Sequence, residues 1–135
     1  MDKRLLDTDT LSYYFKGIET VVKKANKYHD EFGFFSISTL TVFEVLSGYK
    51  KINRPEKEQL FIEFCEENEV ISFGYTAAQK AADIYEKLRS TGQLIGIADI
   101  LIASIALTNN LILVTNNTAH FGRITGLSLE NWAKK

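Results

Sequence analysis

Short apolar segments that are typical of buried strands alternate along this chain with longer segments of helical periodicity, and this alternation restricts the folds open to it. The strand segments are Arg4–Asp7, Phe34–Ser38, Val70–Phe73, Leu111–Thr115 and, shorter than the others, Leu127–Leu129. Helical patterns lie between them, at Leu11–Phe15, Ile18–Tyr28, Leu40–Tyr49, Glu56–Asn68, Thr76–Ser90 and Ile97–Thr108. Because strands that are joined through helices run parallel, the sequence predicts an α/β protein with three layers, α/β/α, around a central parallel sheet of four to five strands.

Length and charge restrict the function as well. With 135 residues, the chain is predicted to form one domain over residues 1–135 that buries a core without disulfides, and Cys65 is its only cysteine. A net charge of −1 argues against a protein that coats nucleic acid through electrostatics alone. The longest apolar run, Leu94–Leu107, contains Asp99 and is too short to span a bilayer, and the first residues do not form a signal peptide. We therefore expect a cytoplasmic protein without a membrane segment.

Three acidic residues occupy places where apolar side chains are usual. Asp7 directly follows Leu5-Leu6, Glu44 lies one turn into the helix that follows Phe34–Ser38, and Asp99 lies in the first turn of an almost wholly apolar helix. In an open α/β fold, the carboxyl ends of the strands and the first turns of the following helices meet in one crevice. Carboxylates that meet there repel one another, and a divalent metal ion is the natural counter-charge.

Each acid also has a local explanation that needs no metal. Asp7 is suited to cap the helix that begins after the first strand. Glu44 ends the segment Thr41–Glu44, which matches the capping-box pattern, and Asp99 is favoured near a helix N-terminus by the helix dipole. Taken singly, each local explanation accounts for its acid as well as a bound metal ion does. A shared cation, however, accounts for all three acids with one cause.

The segment Leu5–Leu11 resembles the first motif of haloacid-dehalogenase-type phosphatases, in which a strand ends in Asp-x-Asp-x-Thr. That resemblance implies Asp7 as a nucleophile and Asp9 as a general acid or base, and Ile112–Thr115 passes for the second motif. The acidic loop that comes later in that family has no counterpart, because Glu130 is the only acid that follows. The two other acids of the trio would be left without roles.

Over its whole length the chain resembles the PIN-domain ribonucleases, and most closely the VapC-like toxins of bacterial type II toxin–antitoxin pairs. The resemblance rests on the order and spacing of several segments, and no single motif would suffice. These segments are Leu5–Ser12, Ser38–Gly48, Ile95–Ala103, Leu113–Phe121, Ile124–Leu127 and Glu130–Trp132.

Residue by residue, the resemblance places Asp7, Glu44 and Asp99 at the three acidic positions of that family, and Asn117 at a fourth position that is often acidic. It implies a Mg²⁺ ion, with Mn²⁺ as an alternative, held mainly by Asp7 and Asp99, with Glu44 as a base or further ligand. Asn117 completes the expected catalytic group without adding charge, which favours one firmly held ion over two. Asp9 stands where many relatives have Asn and is expected to restore part of the missing charge.

The activity implied by the resemblance is metal-assisted hydrolysis of an RNA phosphodiester that leaves a 5′-phosphate and a 3′-hydroxyl. As a toxin, such an enzyme inhibits translation, and structured RNA, tRNA included, is its expected substrate. The resemblance also implies a homodimer and a VapB-like antitoxin whose tail enters the active-site groove, with the helices Leu11–Phe15 and Leu40–Tyr49 as docking surfaces. An inactive PIN-like module that only binds a partner is the third interpretation, and the intact acidic trio argues against it.

RNA contacts are expected from basic residues around the crevice, although each of them also fits ordinary solvated surface charge. The candidates are Arg89, Lys50, Lys51, Arg54 and Arg123. Two further side chains have similar double interpretations. Thr115 is either a hydrogen-bond donor at the metal site or a strand-end threonine, and His120 is either a stacking or proton-transfer group or a loop histidine without such a role.

Overall fold

The structure is a computed structural model, and it describes residues 2–135. This part of the chain contains five short strands and seven helices, with one or two helices between successive strands. The strands are β1 (Arg4–Leu6), β2 (Ser36–Ser38), β3 (Glu69–Ile71), β4 (Ile112–Val114) and β5 (Leu129–Glu130). The helices are α1 (Thr8–Phe15), α2 (Glu19–Phe32), α3 (Thr39–Lys51), α4 (Pro55–Glu67), α5 (Tyr75–Ser90), α6 (Ile97–Thr108) and α7 (Thr118–Phe121).

The strands form two hydrogen-bonded ladders in which every pair is parallel. One ladder has the order β1-β4-β5, with Leu6 opposite Val114 and Val114 opposite Glu130. The other joins β2 to β3, with Ile37 opposite Val70, and β2 lies beside β1 in space. The predicted parallel α/β/α architecture is confirmed, but the strands divide into ladders of three and two where the sequence predicts one sheet. Strands of two or three residues offer few backbone groups for pairing, and β1 pairs on one side only.

Side chains of β1 and β4 point alternately to the two faces of the sheet, and each face carries its own apolar cluster. Leu5 and Leu113 pack with residues of α5, α6 and α7. Leu6 and Val114 pack on the other face with residues of α1, α2 and α4. The two clusters account for the three layers, because each group of helices covers one face with its apolar side.

Helix ends differ from the sequence-based boundaries where capping residues decide them. The second helix is predicted to end at Tyr28, the last residue of its apolar stripe, but α2 continues to Phe32. It stops at Gly33, whose φ of 82° is the left-handed conformation in which glycine commonly terminates helices. Helix α7 is not predicted from the sequence, because its four residues are too few to show a period.

Two expectations from composition can be compared with the structure. Cys65 lies partly buried against the apolar cluster around Leu6, and burial raises the pKa of its thiol, which fits a packing role. No helix within residues 2–135 combines the length and the apolar character that a membrane crossing requires.

The carboxyl ends of three strands lead directly into the segments that carry the candidate residues. Helix α1 begins one residue after Asp7, α3 follows β2 without a gap, and Thr115–Asn117 connect β4 to α7. Helix α6 begins after Gly96 and brings the first-turn residue Asp99 to the same end of the sheet.

Candidate active site

Asp7 is buried at the end of β1, with 6 % of its surface exposed. Its Oδ1 accepts a hydrogen bond of 2.8 Å from the backbone N–H of Thr8, so that Asp7 is the N-cap of α1. Its Oδ2 accepts one of 2.8 Å from the hydroxyl of Thr115. Burial raises the pKa of Asp7 to about 7. The negative charge of Asp9, and more weakly that of Asp99, also raises this pKa, whereas the two hydrogen bonds lower it. The capping explanation is therefore confirmed, and it leaves a carboxylate that its surroundings make costly to ionise.

Thr115 connects Asp7 to a second acid. Its side chain is fully buried after β4, and its hydroxyl lies 2.8 Å from Asp7 Oδ2 and 3.5 Å from Asp9 Oδ2. The same Asp9 oxygen accepts a hydrogen bond of 3.0 Å from the backbone N–H of Asn116. A further carboxylate thus points from α1 towards the end of β4, beside Asp7, and Thr115 is a hydrogen-bond donor within the acidic group.

Glu44 reaches the same crevice from α3. Its Oε1 accepts a hydrogen bond of 2.6 Å from the hydroxyl of Thr8, and that hydroxyl also lies 3.1 Å from the hydroxyl of Thr41. The capping-box explanation is wrong, because α3 begins earlier: its N-cap is Ser38, whose hydroxyl oxygen accepts from the N–H of Thr41 at 3.1 Å. Glu44 is directed towards α1 rather than back along its own helix.

Asp99 lies partly buried in the first turn of α6. Burial raises its pKa, and the negative charges of Glu44 and Asp9 raise it further, whereas His120 opposes them. A helix dipole alone would lower the pKa of a first-turn acid. Burial and the neighbouring carboxylates therefore outweigh the dipole, which is consistent with acids from α1, α3 and α6 lying near one another at this end of the sheet.

Asn117 lies next to this group and takes part in it indirectly. Its backbone N–H donates to the hydroxyl of Thr115 at 3.0 Å. Its side-chain Nδ2 lies 3.1 Å from Nδ1 of His120, within the first turn of α7. The structure therefore connects Asn117 to Asp7 through Thr115, while the amide of Asn117 is directed towards His120.

None of the four acids of the crevice forms an ion pair in the part of the chain that the structure describes. The ion pairs there join Lys3 to Glu69, Arg4 to Glu130, Lys50 to Glu58, Arg54 to Glu56 and Arg89 to Glu86, and none includes Asp7, Asp9, Glu44 or Asp99. Buried or partly buried carboxylates without a cation are unfavourable. The crevice is thus electrostatically suited to a cationic ligand.

The oxygen donors of this group suit Mg²⁺, although they do not form a closed cage. Between residues 2 and 135, no group of three or more His, Cys, Asp or Glu side chains is arranged so that it could hold a metal ion. Mg²⁺ differs from Zn²⁺ or Ca²⁺ in this respect, because it is usually bound through one or two carboxylates and completed by water and substrate phosphate. Asp7 and Asp99, which repel each other across the crevice, match that kind of site.

Most of the basic residues that the sequence singles out for RNA contact are engaged elsewhere. Lys50, Arg54 and Arg89 form surface ion pairs with nearby glutamates. Arg123 instead donates to the backbone carbonyls of the loop before α6, and Lys51 is exposed at the end of α3.

The sequence did not reveal the role of Thr8, whose hydroxyl donates to Glu44. The position of Thr8 directly after Asp7 was the only signal for it.

Comparison with known proteins gives a consistent result along the whole chain. A family model described as the PIN domain matches residues 4–127. The tRNA(fMet)-specific endonuclease VapC of Shigella flexneri is 32% identical over 134 residues, which cover 98% of this chain and 100% of that protein. Ribonuclease VapC2 of Haemophilus influenzae is 32% identical over 133 residues, 98% of this chain and 99% of its own.

Comparison with solved structures also matches the chain over nearly its whole length. The DNA-bound VapBC structure from Salmonella typhimurium contains a chain that superposes with a TM-score of 0.86 at 31% identity, covering 98% of this chain and 99% of that one. The phosphatase interpretation accounts for only two short segments, Leu5–Leu11 and Ile112–Thr115, and a family match over residues 4–127 replaces it.

Proposed function

This chain belongs to the PIN-domain family, and we propose that it is a VapC-like toxin, a Mg²⁺-dependent endoribonuclease that cleaves RNA and thereby inhibits translation. The relatives named as a tRNA(fMet)-specific endonuclease and as a ribonuclease are similar to it over essentially their full length. For this chain's own residues, one observation carries the proposal. Four acids lie at one crevice, and within residues 2–135 none of them forms an ion pair with a basic side chain.

Three of the four acids take the roles that the family resemblance implies, and their surroundings are compatible with these roles. Asp7 and Asp99 hold the Mg²⁺, for which Mn²⁺ is an alternative, and Glu44 acts as the base or as a further ligand. When bound, the ion supplies positive charge at the scissile phosphate and makes the attacking water more acidic. Asn117 orients water or phosphate without adding charge.

The hydroxyl groups of two threonines set the geometry of these acids. Thr8 donates to one oxygen of Glu44, and within residues 2–135 the other oxygen accepts no hydrogen bond, so that it is available to take up a proton from the attacking water. Thr115 donates to Asp7. A cation in the crevice would return Asp7, whose pKa is about 7, to its ionised form at neutral pH.

A groove beside the crevice supports the proposed antitoxin partner. It begins at Glu44, runs between α1 and α3 with a volume of about 430 Å³, and continues into an aromatic depression of about 340 Å³ against α4. Phe15, Tyr49 and Lys57 line both parts, and Phe15 is 41% exposed. We propose that a VapB-like antitoxin places apolar side chains in this groove and directs a basic residue, such as an arginine, at the carboxylates.

The remaining parts of the proposal rest on the relatives. The Salmonella structure is of DNA-bound VapBC, which supports assembly with an antitoxin, and we further propose a homodimer that acts in the cytoplasm. The Shigella relative is named as specific for tRNA(fMet). A tRNA is therefore the first substrate to test for this chain.

The decisive experiment is cleavage of a tRNA mixture by the purified protein with Mg²⁺ and with chelator. Wild type is expected to produce fragments with 5′-phosphate ends only with the metal, and Asp99→Asn to produce none, because it removes a metal ligand while keeping the shape of the side chain. Asp30→Asn, an exposed change on α2, is the matched control and should cleave normally. Full cleavage by Asp99→Asn, or in chelator, would contradict the metal-nuclease proposal; a wild type that binds an antitoxin but never cleaves RNA would favour the inactive-module interpretation.

A further inference from the structure

A second cleft lies between α5 and the segment that follows α7. It has a volume of about 230 Å³, and buried apolar side chains form its floor. The polar residues around it are Lys80, Asp83, Lys87, Arg123 and Thr125. Lys80 and Lys87 are two turns apart on α5, so that both stand on the same side of the helix.

Three cations meet in this cleft, and one carboxylate faces them. Within residues 2–135, neither Lys80, Lys87 nor Arg123 takes part in an ion pair, in contrast to the arginines and lysines that hold glutamates elsewhere on the surface. The other acid of this part of α5, Glu86, is bound by Arg89. On a chain whose net charge is −1, this is a local excess of positive charge.

Two of the basic groups are held in place by neutral partners. Nη1 of Arg123 donates to the backbone carbonyls of Gln93 and Leu94, at 3.4 and 3.3 Å. Nζ of Lys87 donates to the hydroxyl of Thr125 at 3.3 Å. These contacts fix the cations without neutralising them, and the remaining N–H groups of the guanidinium have no acceptor among residues 2–135. A preorganised guanidinium with ammonium groups beside it is the chemistry that binds phosphate.

The cleft is connected to the acidic crevice on two sides. The N–H of Arg123 donates to the carbonyl of His120 at 3.1 Å, and the ring of His120 is near enough to Asp99 to act on its charge. The loop that Arg123 holds, at Leu94, leads within two residues to Gly96, the N-cap of the helix that carries Asp99. The cleft therefore borders α7 and the loop before α6, the two elements that carry His120 and Asp99.

We propose that the cleft formed by Lys80, Lys87, Arg123 and Thr125 binds a backbone phosphate of the RNA strand beside the scissile bond. The inference rests on the proposed nuclease function and adds to it a second, metal-independent contact with the substrate. The residues of the crevice are acidic and repel a polyanion. The basic residues of this cleft would supply the positive charge that holds the RNA next to it. The contact carries no base information, because phosphate contacts position a nucleic acid without reading its sequence.

The experiment uses Lys80→Ala/Lys87→Ala, with Lys23→Ala/Lys27→Ala as the matched control. The control removes the same charge from exposed lysines of α2, on the opposite face of the sheet. Binding of a labelled single-stranded RNA is measured in chelator between low and moderate salt. The slope of log affinity against log salt should fall by about 0.7 for each lysine whose phosphate contact is lost. In cleavage assays KM should rise with kcat unchanged, since the contact is the same in the ground and transition states.

The outcomes separate this inference from the proposed function. Normal RNA affinity, salt slope and KM in Lys80→Ala/Lys87→Ala, with wild-type cleavage intact, would overturn the phosphate cleft alone. An equal loss in the control double variant would also overturn it, because the effect would then be one of net charge. If the cleft variant bound RNA normally but lost the antitoxin, the surface would be a protein contact and the inference would be wrong. A wild type that neither bound nor cleaved RNA would overturn both proposals together.

Discussion

Asp7→Asn is expected to stabilise the metal-free protein although it removes a proposed metal ligand. Burial gives Asp7 a pKa of about 7 in the folded protein against an ordinary value of 3.8. A shift of that size makes folding at pH 7 less favourable by about 4 kcal/mol, because the unfolded chain ionises freely. Asparagine removes this contribution. It keeps an acceptor for the N–H of Thr8 but offers a donor where Thr115 also donates, at a cost of about 1–2 kcal/mol.

The net expectation is a gain of about 2–3 kcal/mol at pH 7, or roughly 5–10 °C in Tm for a chain of this size. The sign depends on pH. Since the folded-state pKa is raised, the wild type loses stability as the pH rises from 3.8 towards about 7, and the loss is constant above that range. Near pH 4 the gain of the variant should vanish, and only the cost of the altered hydrogen bond should remain.

The assay is urea or thermal unfolding in chelator from pH 4 to pH 8, followed by the same series with Mg²⁺. The ion should stabilise wild type by about 1.4–2.7 kcal/mol at ten to a hundred times its dissociation constant, and should affect Asp7→Asn much less. The exposed substitution Asp30→Asn should stay within about 0.5 kcal/mol of wild type throughout. An Asp7→Asn protein that is less stable than wild type at pH 8 in chelator would refute the view that these acids are crowded and unpaired.

Two further substitutions test the groups around Asp7. Asn117→Asp is expected to tighten Mn²⁺ binding in calorimetry, because it adds a carboxylate where the chain now has a neutral amide; equal affinities would place residue 117 outside the coordination sphere. Thr115→Val keeps the shape of a fully buried side chain but leaves Asp7 Oδ2 without its donor. It should cost about 1–3 kcal/mol in urea denaturation, and unchanged stability would show that this hydrogen bond does not support the site.

The positions of the acids could be predicted because one rule of α/β folds governs them. Asp7 follows a strand, Asp99 opens a helix, and such places meet at one edge of the sheet whatever the details of packing. Of the local explanations for these acids, capping by Asp7 is confirmed and the capping box at Glu44 is wrong. Capping by Asp7 depends on neighbouring residues and is present. The capping box at Glu44 depends on where α3 begins, and Ser38 starts that helix earlier than the apolar pattern indicates.

Contacts between elements could not be predicted in the same way. The hydroxyl of Thr8 meets Glu44 across 36 positions of sequence, and that of Thr115 meets Asp7 across 108. Such bonds depend on how α1, α3 and β4 are placed relative to one another in three dimensions. A single sequence does not give these relative positions. The division of the strands into two ladders escaped prediction for a related reason, because periodicity identifies strands but not their partners.

The neutral residue at position 117 does not leave the crevice short of negative charge. Asn117 binds His120 through its amide, and the further carboxylate comes instead from Asp9, which the backbone N–H of Asn116 holds beside Asp7. The crevice therefore keeps four acids with no basic side chain paired to them between residues 2 and 135. In the proposed function this single deficit of positive charge has two consequences. It attracts the ion needed for cleavage, and it equally attracts a basic residue of an antitoxin, so that activity and inhibition depend on which cation neutralises the same carboxylates.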